Sequence, residues 1–130
     1  MGEQLNIHES KKLADDSVPE VTDQDLEQLT AMFRLLTDKT RLTILLLLAN
    51  GERNVTSLCD ELKLPQPTVS HHLGLLRMSS VIANRRSGKQ VFYGLNGRIN
   101  AAASSLSIAV QNYNVHIGRR SEPLSEGTSA

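Results

Sequence analysis

The stretch that decides the fold runs from Leu58 to Arg77 and reads LCDELKLPQPTVSHHLGLLR. Leu58 and Leu62 lie one helical turn apart and face the same side. Ahead of them Val55 offers a hydrophobic staple and Thr56 a cap, which predicts a short helix. Lys63-Leu64-Pro65 then interrupts the pattern. Pro67 suits the first turn of a new helix, where its missing N–H costs nothing. In that second helix Val69, Leu73 and Leu76 share one face, while Thr68, Ser70, His71 and Gly74 or Arg77 occupy the others. Two short helices joined by so few residues have helix-turn-helix spacing.

Upstream, Lys39 to Ala49 holds LTILLLLA, apolar nearly all round, which predicts a helix in the middle of a small domain. Asn50-Gly51 stops it. An earlier helix begins near Thr22 as N-cap, with Asp23 and Asp25 in its first turn and Leu26, Leu29, Phe33 and Leu36 on one face. Downstream, Val81-Ile82-Ala83 and Val91-Phe92-Tyr93-Gly94-Leu95 flank the turn-rich NRRSGKQ, which predicts a β-hairpin with Arg85, Arg86 and Lys89 at its tip. A last helix is expected from Asn96 or Gly97. Its apolar stripe would comprise Ile99, Ala102, Ala103, Leu106, Ala109 or Val110, Tyr113 and Ile117. The expected fold is mainly α with a small β-hairpin (α+β), in the order ααααββα. Residues 1–20 read as a flexible acidic arm, 21–117 as the folded domain, and 118–130 as a disordered tail.

Composition narrows the class. The chain has 130 residues, enough for one domain, and few aromatic side chains, so its core must be aliphatic. Its single cysteine, Cys59, excludes an internal disulfide and suits a reducing cytosol. The start lacks a signal-peptide pattern, and the most apolar run, Leu42 to Ala49, is too short to span a bilayer, so a cytoplasmic protein with no membrane partner is expected. Net charge is zero but unevenly placed. Residues 1–40 carry nine acids and four bases, whereas residues 41–98 carry eight bases and three acids. A basic centre beside an acidic head is the electrostatic footprint of a nucleic-acid binder.

In a helix-turn-helix the second helix enters the major groove and its first residues meet base edges. Gln66 can pair bidentately with adenine, Thr68 can touch a thymine methyl, and Ser70 and His71 can bond bases or phosphates. His72, adjacent to His71 and therefore pointing elsewhere, is expected in packing or on a phosphate. Pro67 and Arg77 complete the helix side of the surface. On the hairpin, Arg85, Arg86 and Lys89 can neutralise phosphates or enter the minor groove. The expected partner is double-stranded DNA. No nucleophile with a base, no phosphate-cradling loop and no carboxylate pair suggests an enzyme, and no cofactor is expected. The competing reading is a protein-interaction module that keeps the fold without DNA.

The stretches FRLLTDKTRLTILLLL, LCDELKLPQPTVSHHLGLLR and VIANRRSGKQVFYGL resemble the ArsR/SmtB family of bacterial winged-helix repressors. The resemblance is specific over about Phe33 to Leu95 and looser over 23–117. It implies a homodimer that occupies an operator, is released by a ligand, and pairs through its first and last helices. The interface would then include Leu26, Leu29, Ile99, Ala102, Ala103, Leu106, Val110 and Tyr113. Two features depart from the family: Pro65 stands where a small polar cap is usual, and the arm 1–20 has no assignable motif.

Many relatives sense metals. At the family's Cys-x-Cys site this chain has Asn54 and Thr56, with Cys59 a turn further on, and one thiolate cannot build a site. Cys59 is expected as a small buried hydrophobe. At the family's last-helix site, aligning His116 puts Ser105, Ala103 and Arg119 where the other ligands belong, and His116 reads as a helix-end histidine. His8 with Glu9 or Asp15 is a remote further ligand set. No metal site is expected, the inducer is unknown, and the alternative is a metal- or redox-responsive repressor using Cys59 or His116.

Overall fold

The computed structural model describes residues 20–102 and 105–120. Most of the acidic arm, with His8, Glu9 and Asp15, most of the tail, and Ala103 lie outside the described residues. Four helices come first: α1 (Asp23–Leu36), α2 (Lys39–Leu48), α3 (Val55–Leu62) and α4 (Gln66–Met78), with a two-residue strand β1 (Arg53–Asn54) between α2 and α3. Five strands follow: β2 (Ile82–Ser87), β3 (Gln90–Leu95), β4 (Ile99–Ala102), β5 (Ser105–Val110) and β6 (Tyr113–Gly118).

The helix starts follow capping chemistry. Thr22 opens α1 with a reciprocal box: its hydroxyl accepts from the Asp25 N–H at 3.0 Å, and the Asp25 carboxylate accepts from the Thr22 N–H at 3.0 Å. Asp38 caps α2 through the Arg41 N–H, and that hydrogen bond holds its carboxyl below the ordinary value. Asn54, not Thr56, caps α3, accepting from the Ser57 N–H at 2.7 Å. Val55 is instead the first helical residue and packs on the core. As expected, α2 is central: Ile44, Leu45 and Leu48 are buried with Leu58, Val69, Leu73 and Leu76. The α1 stripe is rotated from its expected orientation. Met32 is its buried apolar residue, whereas Leu26 and Phe33 remain 37% and 51% exposed.

There are two three-stranded antiparallel sheets, ordered β1-β3-β2 and β4-β5-β6. The first contains the expected hairpin, but its turn is only Gly88-Lys89, with Gly88 at φ +65. Ser87 pairs with Gln90, so Arg85 and Arg86 stand on the strand and Lys89 alone of the three is at the tip.

The second sheet overturns the expected last helix and with it the order ααααββα. Residues 105–118 form a hairpin closed by Gln111-Asn112, with Gln111 at φ +55. The physical reason is period. A helix would have left Ile108 and Val115 off its stripe. As strands, Leu106, Ile108 and Val110 all turn inward and are buried, with Tyr113, Val115 and Ile117 on the same side. β-branched residues at alternate positions suit this geometry. Ile99, Leu106 and Val110, expected at the dimer interface, are therefore in the subunit's own core. His116 lies mid-strand in β6, not at a helix end.

Candidate nucleic-acid interface

The turn between α3 and α4 is made by Lys63, which takes the left-handed conformation at φ +58, followed by Leu64 and Pro65. A Leu64 N–H to Cys59 carbonyl bond of 3.2 Å closes α3. Pro65 stands at the N-cap of α4 without a side-chain cap, and its carbonyl accepts from the N–H groups of Thr68 and Val69 at 3.1 Å. The unusual proline thus leaves the helix start at Gln66, with Pro67 in the first turn.

Val69, Leu73 and Leu76 anchor α4 to the core. That leaves Gln66, Pro67, Thr68, His71 and Arg77 exposed and Ser70 half-buried. The Gln66 amide donates to the Ser70 hydroxyl at 2.7 Å. One amide N–H and the carbonyl oxygen of Gln66 stay available, the pair that adenine recognition needs. His71 and His72 meet edge to face at 5.6 Å, but they do different work. His72 is half-buried with its Nδ1 3.4 Å from the Arg41 guanidinium, and Arg41 also donates to the Leu35 carbonyl at 2.8 Å. Its setting is the junction of α1, α2 and α4, which matches the packing alternative.

The three basic residues of the hairpin are also unequal. Successive strand residues face opposite sides. Arg85 lies over the ring of its cross-strand partner Phe92 at 5.0 Å and grips Glu52, with its Nη2 2.7 Å and its Nε 3.0 Å from the carboxylate. These hydrogen bonds hold Glu52 below the ordinary carboxylate value and raise Arg85. Arg86 and Lys89 are exposed and have no ion-pair or hydrogen-bond partner among the described residues. A second tie joins the hairpin to α3, where the Asn54 amide donates to Gln90 at 3.0 Å. Glu52 and Asn54 were absent from the sequence-level site, because β1 becomes visible only once Arg53 pairs with Tyr93 and Asn54 with Phe92.

The metal-ligand positions fit no metal here. The Asn54 side chain is engaged by the Ser57 N–H and Gln90, Thr56 is exposed, and neither is a soft donor. Cys59 is half-buried against the core. His116 shares its Nδ1 with the Ser107 hydroxyl at 3.0 Å on the outer face of β5–β6. No described helix is long and apolar enough to cross a membrane.

Comparison with known proteins bears on this geometry. Residues 38–79 match the family model described as bacterial regulatory protein, arsR family. The chain is 45% identical over 76 residues to the arsenical resistance operon repressor of Escherichia coli (strain K12), covering 58% of this chain and 65% of that protein. It therefore spans just under two thirds of that relative's length. It is 34% identical over 88 residues to the biofilm growth-associated repressor of Xylella fastidiosa (strain Temecula1), covering 65% of this chain and 77% of that one. Among solved structures, the homodimeric winged helix-turn-helix DNA-binding domain from Mycobacterium bovis superposes with a TM-score of 0.53 at 30% identity, covering 58% of this chain and 73% of that chain.

Proposed function

The chain belongs to the bacterial arsR family of regulatory proteins, and from that premise we propose that it is a DNA-binding transcriptional repressor, not an enzyme, acting as a homodimer on a palindromic operator. It leaves the operator on a signal that does not act through the family's two metal sites. The observation that carries the reading is the outward N-terminal half of α4, anchored by Val69, Leu73 and Leu76 and flanked by unpaired Arg86 and Lys89. The repressor relatives and the DNA-binding neighbour support the same reading.

In this reading α4 enters the major groove. Gln66, Thr68, Ser70 and His71 meet base edges, Pro67 lies against the backbone, and Arg77 meets a phosphate. Arg86 and Lys89 neutralise further phosphates. Arg85 and His72 act one step back, Arg85 setting the angle of the hairpin and His72 seating α4. Two copies present two such helices to half-sites one helical turn apart. Leu26, Leu29, Ala102 and Tyr113 remain as interface residues, with exposed Phe33 beside them on α1.

Selection of bound fragments from genomic DNA tests this. A short inverted repeat is expected, and Ser70→Ala with His71→Ala should relax preference within it. A purified chain that retains no duplex even at low ionic strength would sink the proposal in favour of a protein-interaction module.

A further inference from the structure

The dimer reading above leaves a gap, since the expected pairing helix is a three-stranded sheet in this chain. We propose that β6 closes that gap: Tyr113–Gly118 pairs antiparallel with the same strand of a second copy, joining two three-stranded sheets into one of six strands. The inference rests on the homodimer reading and names its surface.

β6 is hydrogen-bonded on its β5 side only. The two-residue turn makes Val110 and Tyr113 the first hydrogen-bonded pair, and such pairs alternate along an antiparallel ladder. Tyr113, Val115 and Ile117 therefore direct their backbone groups to β5. Asn114, His116 and Gly118 direct theirs to the free edge. Edges are ordinarily blunted by lysine, proline or a bulge. YNVHIG has no charged residue and no proline, and its register with β5 is unbroken from Val110↔Tyr113 to Ser105↔Gly118.

Side chains tell the same story. On the inward face, Leu106, Ile108 and Val110 of β5 are fully covered, whereas Tyr113, Val115 and Ile117 of β6 are only half-buried. The rows differ in that β5 has a strand on each side. Beside Ile117 a groove of about 460 Å³ opens against Leu46, itself 44% exposed. One more strand next to β6 would cover both. The other edge, β4, offers only four residues.

The occupant is a second copy because a strand pairing antiparallel with itself satisfies a twofold axis, the symmetry of a palindromic site. A register centred on His116 sets Val115 opposite Ile117 of the partner subunit. It also brings Arg119 beside the ring of Tyr113 of the partner subunit, a favourable cation–ring placement. The two Arg119 cations then lie at opposite ends of the ribbon, away from each other.

The test uses the full chain with Cys59→Ala, so that an introduced thiol stands alone. Paired residues of this kind have Cα atoms about 5.5 Å apart, within disulfide reach. His116→Cys should give a disulfide-linked dimer under mild copper–phenanthroline oxidation, while Gln111→Cys, in the turn, should stay monomeric. Asn114→Pro removes an outward N–H without touching the β5 ladder, and by symmetry two bonds are lost, so self-association should weaken about tenfold or more in sedimentation. If circular dichroism shows that variant unfolded, the cross-link decides alone. No cross-link, with a wild-type chain that is still dimeric, overturns the β6 proposal and leaves the dimer reading standing. A wild-type chain that stays monomeric at all concentrations, with and without operator duplex, overturns both.

Discussion

The two sheets of this protein have the same strand number and the same antiparallel build, yet they solve opposite problems. In β1-β3-β2 the strand β2 is exposed from Ala83 to Ser87 and carries Arg85 and Arg86. The sheet is held in place by side-chain ties at its base, Glu52 to Arg85 and Asn54 to Gln90. In β4-β5-β6 the middle strand is buried on its inner face and continues the aliphatic core begun by α2. α1 packs against this sheet through β5. Arg98 binds it to the end of α4, donating to the Ser79 carbonyl at 2.7 Å and to the Ala109 carbonyl at 2.8 Å. One sheet projects charge outward, and the other supplies the mass against which the reading helix is braced. The lesson is that strand count says little, and that the fate of alternate side chains decides what a sheet is for.

The sharpest way to break this contrast is to truncate one residue in each sheet. Ile108→Ala, at a fully buried site, should cost about 2–5 kcal/mol in chemical denaturation. Val91→Ala, half-buried in the first sheet, should cost about 1 kcal/mol or less. Equal losses would mean that the second sheet is not part of the core.

Charge removal should act the other way round. Arg86→Ala with Lys89→Ala should leave stability nearly unchanged and lower the slope of log affinity against log salt by about two units on duplex DNA. A smaller effect is expected at the base of the hairpin, where Asn54→Ala removes both the α3 cap and the Gln90 tie. It should lower stability by about 1 kcal/mol without altering the salt slope.

The smallest effect concerns Glu52. Glu52→Gln should weaken DNA binding less than the Arg86/Lys89 pair does and leave the salt slope intact, because Arg85 is a brace in this structure. An affinity gain would instead mean that Glu52 competes with phosphate for Arg85. The pH dependence has a definite sign. The Glu52 carboxyl is lowered by its bonds to Arg85, so the brace is complete above the unfolded carboxylate value and is lost as pH falls through the lower folded value. Amide exchange along β2 and β3 should therefore stay unchanged from neutral pH down to mild acid and accelerate only in strong acid.

Much of the fold was legible because the governing signals are local. Thr22 and Asp38 cap by reaching three residues ahead, Asn50-Gly51 stops α2, and Val69, Leu73 and Leu76 repeat at helical spacing around Pro67. The reading face of α4 was legible for the same reason, since fixing which residues are buried also fixes which are not. The division of labour among the basic residues was not. Arg85 and Arg86 are neighbours of identical chemistry, and only pairing with β3, beside Glu52 in the turn before β1, makes one a brace and leaves the other free. Beyond Asn96 the residues satisfied two periods at once. Ile99, Ala102, Leu106, Val110, Tyr113 and Ile117 trace a helical stripe, and Leu106, Ile108, Val110, Val115 and Ile117 trace strands. Short-range spacing cannot choose between them. The choice was made by the core, because only the sheet buries Ile108 with its neighbours, and burial is a property of the packed molecule that no single segment carries.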